Sequence, residues 1–156
     1  MDEVSSLSTR HTYSIKEAAA LSGLPASTLR YYESIGVISP VSRGASSKHR
    51  VYDEQDLDQV MWVACLAATG MSVSDMRQYV ANGAQGATAA HEQVKLLQGQ
   101  REHLTREAEL IELRRQYVDL KIHYWQAVEA GDDARAKRLS DEARALGESF
   151  ARAKKN

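Results

Sequence analysis

The apolar positions change rhythm partway along the chain. Up to about residue 87 they come in short bursts separated by glycine. Beyond that point they recur at helical spacing over a long stretch. Both prolines, Pro25 and Pro40, and the glycines at 23, 36, 44, 70, 83 and 86 fall in the first part, which predicts several short elements followed by long helices. "SIKEAAALSG" reads as a helix with Ala18, Ala19 and Leu21 on its apolar face. Ser14 followed by Glu17 is a capping-box signature, and Gly23 suits the left-handed residue that closes a helix. "LPASTLRYYESIG" starts a second helix at once. Pro25 fits its first turn, Leu29, Tyr32 and Ile35 or Tyr31 fall on helical spacing, and Gly36 ends it. Two short helices joined through a glycine turn make a helix-turn-helix candidate, a pattern that many helical hairpins share.

"VISPVSRGASSKHRVYD" predicts a small hairpin, or wing, with strands near 37–41 and 49–52 around a Ser/Gly loop. Asp53 is placed to cap a third helix, "EQDLDQVMWVACLAATG", with Leu57, Met61, Ala64 and Ala68 at helical spacing. Ser72 and Asp75 repeat the capping-box pattern before "VSDMRQYVANG". From about residue 88 to 130 a single long helix is expected. Leu97, Leu104, Ile111, Val118 and Trp125 recur every seven residues, with Ala108 and Ile122 on a second line. A sustained heptad stripe suits pairing with another helix, most simply an identical one, although packing within one chain gives the same pattern. Arg101 and Arg115 interrupt the second line, which favours antiparallel or irregular pairing over a parallel zipper. A last amphipathic helix carries Leu139, Ala143, Leu146 and Phe150 on one face. The expected fold class is mainly α: a winged helix-turn-helix followed by a long helix suited to antiparallel coiled-coil pairing.

Charge adds little at the level of the whole chain. Its 156 residues hold 20 Lys and Arg against 21 Asp and Glu, a net charge of −1, so any nucleic-acid role must rest on a local patch. The wing supplies one: residues 39–52 contain no acid but include Arg43, Lys48, His49 and Arg50. The single cysteine, Cys65, excludes an internal disulfide and a cysteine-only metal cage within one chain. None of the five histidines has a Cys or a second His at ligand spacing, so no metal or other cofactor is expected. Residues 1–11 are polar and read as a disordered leader. With no membrane-length apolar run, a cytoplasmic location is expected. No nucleophile–base motif and no phosphate-binding glycine loop occurs, so no enzymatic activity is expected.

"YSIKEAAALSGLPASTLRYYESIGVISPVSR…HRVYDEQDLDQV" resembles the N-terminal half of mercury-resistance-type (MerR) transcription regulators, in the order and spacing of YSI, TLRYYE, GVISP and RVYDEQDL over roughly residues 13–82. With the leader at 1–11 and the amphipathic C-terminal helix at 131–156 read from the residues, the resemblance implies a DNA-binding domain at 12–82 and a linker and dimerisation helix at 83–130. It further implies a homodimer that binds double-stranded promoter DNA whose −35 and −10 elements lie too far apart, and distorts it so that RNA polymerase engages both. On that footing Ser14, Lys16, Ser27, Thr28, Arg30, Tyr31, Arg43, Lys48, His49, Arg50 and Tyr52 are the candidate DNA contacts, while Tyr32 packs inward. Leu97, Leu104, Ile111, Val118 and Trp125 would form the dimer interface.

The signal is a separate question. The family's metal sensors carry Cys at both ends of the dimer helix, and residues 81–90 and 126–134 here contain none. Judged by its apolar neighbours alone, Cys65 reads as a small buried hydrophobe. Yet it lies thirteen residues after Tyr52, where the chain resembles a branch that answers reactive aldehydes and nitrosative or oxidative stress through one cysteine. The alternative switch is a small hydrophobic ligand held by Trp62, Tyr79, Tyr117, Tyr124 and Trp125. An alternative of another class is a coiled-coil interaction protein with a vestigial helix-turn-helix.

Overall fold

The computed structural model describes residues 11–153; most of the leader lies outside them. The elements run α1 (Ile15–Ser22), α2 (Ala26–Ser34), β1 (Ser42–Arg43), β2 (Arg50–Val51), α3 (Glu54–Ala68), α4 (Val73–Ala84), a 3-10 turn (Gly86–Ala89), α5 (Ala90–Glu129) and α6 (Asp133–Ala153). They divide into two compact units, with the boundary in sequence between Gln100 and Arg101.

Local chemistry sets the helix ends in the first unit. The Ser14 hydroxyl accepts from the Glu17 N–H while Glu17 accepts from the Ser14 N–H, so the predicted capping box closes α1. Those hydrogen bonds, first the one from the Ser14 backbone, hold the Glu17 carboxyl below the usual carboxylate range. Gly23 then adopts φ +76, and its N–H bonds the Ala19 carbonyl at 2.9 Å. A residue with a Cβ would be strained in that left-handed turn, which sets α2 at an angle to α1. Asp53 caps α3 in the same reciprocal way with Asp56. Ser72 caps α4 through the Asp75 N–H, but the expected return bond from Asp75 is not formed.

The core of this unit gathers Ala18 from α1, Leu29 and Tyr32 from α2, Val37, Ile38 and Val41 from the following loop, Val60 and Val63 from α3, and Met71 and Met76 around α4. The buried face of α3 is thus the Val60 and Val63 side. Met61 remains exposed, which corrects the face predicted through Leu57, Met61, Ala64 and Ala68. The hairpin also differs from expectation. Val37 and Val41 go into the core instead of a strand, and the ladder shrinks to Ser42 opposite Val51 and Arg43 opposite Arg50. The Tyr32 carbonyl accepts from both Val37 and Ile38 N–H groups, which draws the loop inward and leaves only the wing tip to pair. Tyr13 and Tyr52 exchange two backbone hydrogen bonds of 2.8 Å and tie the start of the unit to the wing's exit.

Amide side chains fix the start of α5 to this unit. Gln93 accepts from buried Asn82 and donates to the Tyr79 carbonyl at 2.8 Å, while Gln100 donates to the Thr69 carbonyl at 2.9 Å. The long helix has 40 residues, a length of about 60 Å.

In the second unit α5 ends at Gly131, whose φ is +71. The Gly131 N–H reaches the Val128 carbonyl and the Asp132 N–H reaches that of Ala127, a Schellman closure. Asp132 then caps α6 through the Arg135 N–H. Ala127, Ala136 and Ala143 are buried, and Tyr117 meets Phe150 edge to face at 5.6 Å, so α6 folds back along one side of α5. The predicted face of Leu139, Ala143, Leu146 and Phe150 is the side of α6 withdrawn from solvent.

Candidate nucleic-acid interface

Most of the basic and hydroxyl side chains that the sequence singles out are exposed on the first unit. Helix α2 buries Leu29 and Tyr32 completely or nearly so. Its geometry therefore turns Ser27, Arg30 and Tyr31 outward, with Thr28 half-buried at the edge. Tyr31 is 53% exposed although its neighbour Tyr32 is 8% exposed. The paired tyrosines of TLRYYE thus divide between surface and core. Helix α2 also opens at Pro25 without a side-chain cap.

The wing adds Arg43, Lys48 and His49, all exposed. The Gly44 N–H bonds the His49 carbonyl and the Lys48 N–H bonds the Gly44 carbonyl, both at 2.9 Å. Lys48 takes φ +56, the one non-glycine residue in the left-handed region among the described residues. Its side chain is exposed in that turn.

Two of the candidates are placed differently from expectation. Tyr52 is 1% exposed and belongs to the core, so its ring is not available to a nucleic-acid backbone. Burial raises the pKa of its hydroxyl above the usual tyrosine value; nearby Arg50 partly offsets the effect. Arg50 is drawn inward: its Nε donates to Glu33 Oε2 at 2.9 Å, and only 17% of its side chain is exposed. Arg43 Nη2 lies 3.6 Å from Glu33 Oε1 and is 46% exposed. Sequence reasoning did not single out Glu33. Its signal was present, as the last residue of TLRYYE and the nearest acid preceding an acid-free basic wing. Ser14 is exposed, but its hydroxyl is occupied as the α1 cap, while Lys16 beside it is free of ion pairs among the described residues.

Cys65 is exposed on α3, which corrects the expectation of a buried small hydrophobe. The aromatic residues form separate local pairs. Trp62 lies against Tyr79 at 5.6 Å in the first unit, and Tyr124 meets Trp125 at 5.2 Å in the second. The Lys121 ammonium sits 5.6 and 5.8 Å from the Tyr117 and Tyr124 ring centres. No group of His, Cys, Asp and Glu among the described residues is arranged to hold a metal ion. No helix among them is long and apolar enough to cross a membrane.

Two helices joined by a glycine turn, a short two-stranded wing and an outward basic face define a winged helix-turn-helix protein. Known proteins agree. Residues 13–83 match the family described as MerR HTH family regulatory protein. YyaN, an HTH-type transcriptional regulator of Bacillus subtilis (strain 168), is 39% identical over 71 residues, 46% of this chain and 51% of its own. The chain thus spans about half the length of that relative. An HTH-type transcriptional regulator of Haemophilus influenzae (strain ATCC 51907 / DSM 11121 / KW20 / Rd) is 29% identical over 131 residues, covering 82% of this chain and 94% of its own. Among solved structures, HiNmlR superposes with a TM-score of 0.63 and 25% identity over 77% of this chain and 94% of its own. It is described as a MerR family regulator lacking the sensor domain, bound to promoter DNA. Over its helix-turn-helix segment, and in the longer matches beyond it, the chain is thus similar to MerR-type transcription regulators.

Proposed function

We propose that the protein acts as a homodimer on double-stranded promoter DNA, with residues 12–82 holding the duplex and the long helix pairing with its twin. The observation that carries the DNA-binding part is the exposure of Arg30 and Tyr31 on α2 and of Arg43, Lys48 and His49 on the wing that Glu33 ties to that helix. Cations and hydroxyls on a recognition helix and wing fix register on phosphates, and Ser27 and Thr28 at the start of α2 are placed for the groove. The likeness to a family member bound to promoter DNA supports the same reading.

The dimer reading is supported by an uncovered stripe on α5. Leu97, Leu104, Ile111, Val118 and Trp125 are 42%, 40%, 52%, 54% and 63% exposed, and Ile122 is 48% exposed. In the second unit α6 occupies the opposite side of the helix, where Ala127 is fully buried. A two-fold dimer with two DNA-binding units bends or untwists the promoter between them, bringing −35 and −10 elements into register for RNA polymerase. The switch assigned to this regulator is modification of Cys65 by reactive electrophiles or oxidants. Its exposure on α3 makes the thiol accessible within the chain.

Arg30→Ala tests the DNA-binding reading. Each phosphate contact contributes about 0.9 to the slope of log K against log salt. Loss of one contact from each subunit therefore flattens the slope by about 1.8. Fluorescence anisotropy on a labelled duplex over a salt series reads this directly, and an unchanged slope removes Arg30 from the phosphate contacts.

A further inference from the structure

We propose that Glu33 is the positioning residue of the wing, acting through Arg50, and that Arg50 is an internal strut rather than a phosphate ligand. This rests on the DNA-binding reading above and divides the four basic wing residues into two kinds. Glu33 leaves the last turn of α2 with its carboxylate 13% exposed, and its two oxygens face two different arginines. Oε2 takes the short charge-assisted bond from Arg50, on β2, and both partners of that pair are shielded from solvent. Oε1 faces Arg43, the residue paired with Arg50 across the ladder, at the longer 3.6 Å.

One carboxylate therefore ties both wing strands to the recognition helix. The hairpin itself has only two paired residues on each strand, too short a ladder to fix its own angle. Arg50 would have to abandon a largely shielded ion pair to reach a phosphate, which leaves the Glu33 carboxylate with only the longer contact to Arg43. Arg43, more exposed and less tightly held, can exchange Glu33 for a phosphate. Lys48 and His49 are free at the tip, with no ion pair among the described residues. The phosphate-binding side chains of the wing are thus Arg43, Lys48 and His49. Glu33 sets where they point.

The test uses the full-length protein and a random-sequence duplex, comparing salt slopes for Arg50→Gln, Lys48→Gln, Glu33→Gln and Glu33→Asp. Arg50→Gln is expected to leave the slope within experimental error of the parent, whereas Lys48→Gln flattens it by about 0.9 per subunit. Glu33→Gln frees Arg50, while Arg43 already meets phosphate in the parent, so the slope steepens by up to about 0.9 per subunit. Glu33→Asp keeps the charge and returns the slope toward the parent value. A purely structural role for Glu33 would lower the thermal transition without steepening the slope, and that result overturns the proposal. Arg50→Gln flattening the slope as far as Lys48→Gln also overturns it, and remains decisive if Glu33→Gln does not fold. Absence of salt-dependent binding by the parent protein is a different outcome. It removes the DNA-binding reading, and the positioning role falls with it.

Discussion

Ile111→Asp probes the dimer at the middle of the stripe. In the isolated chain Ile111 keeps 52% of its surface exposed, so about half of its burial is left for a partner helix to supply. Complete burial of an isoleucine contributes about 1.5–3 kcal/mol, so the remaining half contributes about 1 kcal/mol per subunit and about 2 kcal/mol across a two-fold interface. Aspartate forfeits that and adds a carboxylate that loses water on pairing, an effective penalty of several kcal/mol for each ion. A total of about 4 kcal/mol is a conservative lower figure, equivalent to nearly a thousandfold weaker dimer. Sedimentation velocity over a dilution series reads the dissociation constant. Gln116→Glu, which adds an acid on the side of α5 turned toward α6, controls for charge alone. Refutation is simple: if Ile111→Asp stays dimeric down to the same concentration as the parent, the stripe is not the interface.

Three further outcomes are expected. Cys65→Ser should keep duplex affinity within about twofold and lose any response to aldehydes or nitrosating agents. Iodoacetamide should label Cys65 in the native protein, and labelling confined to the denatured protein removes the thiol switch. Asp53→Ala should lower stability by about 1 kcal/mol in denaturant titration, since Asp53 Oδ1 accepts the Asp56 N–H at 2.7 Å; a neutral result shows that water replaces the cap. Because burial raises the Tyr52 pKa, folding favours the neutral hydroxyl. The contribution is fully present below the ordinary tyrosine pKa and is lost as pH rises through the raised folded value. Tyr52→Phe should therefore lessen the fall in stability between neutral and strongly alkaline pH, and an identical fall in both proteins refutes the assignment.

The local sequence determined most of the helix boundaries. Ser14 with Glu17, and Asp53 with Asp56, are reciprocal caps because oxygen side chains next to unpaired N–H groups have few better partners. Gly23, Gly36 and Gly131 end helices because a left-handed residue is required there. The long helix and its seven-residue stripe were likewise legible, since a period of apolar residues depends on nothing beyond the helix itself. Motif order carried the likeness to helix-turn-helix regulators, which composition concealed behind a net charge of −1.

Tertiary structure decided what each side chain faces. Val37 and Val41 have strand chemistry, yet the core beneath the wing takes them because the Tyr32 carbonyl folds that loop inward. Tyr31 and Tyr32 are already separable by helix phase, since Tyr32 lies three residues after Leu29, and the structure buries Tyr32 while leaving Tyr31 exposed. Arg43 and Arg50 look like equal members of one basic patch until Glu33, from another element, holds one closely and the other loosely. Apolar neighbours in sequence suggested that Cys65 is buried. Neighbours in sequence occupy different faces of α3, however, and the face bearing Cys65 is open. Periodicity and capping are local and can be read along the chain. Ion pairing, burial and exposure depend on residues far away in sequence, so they required the fold.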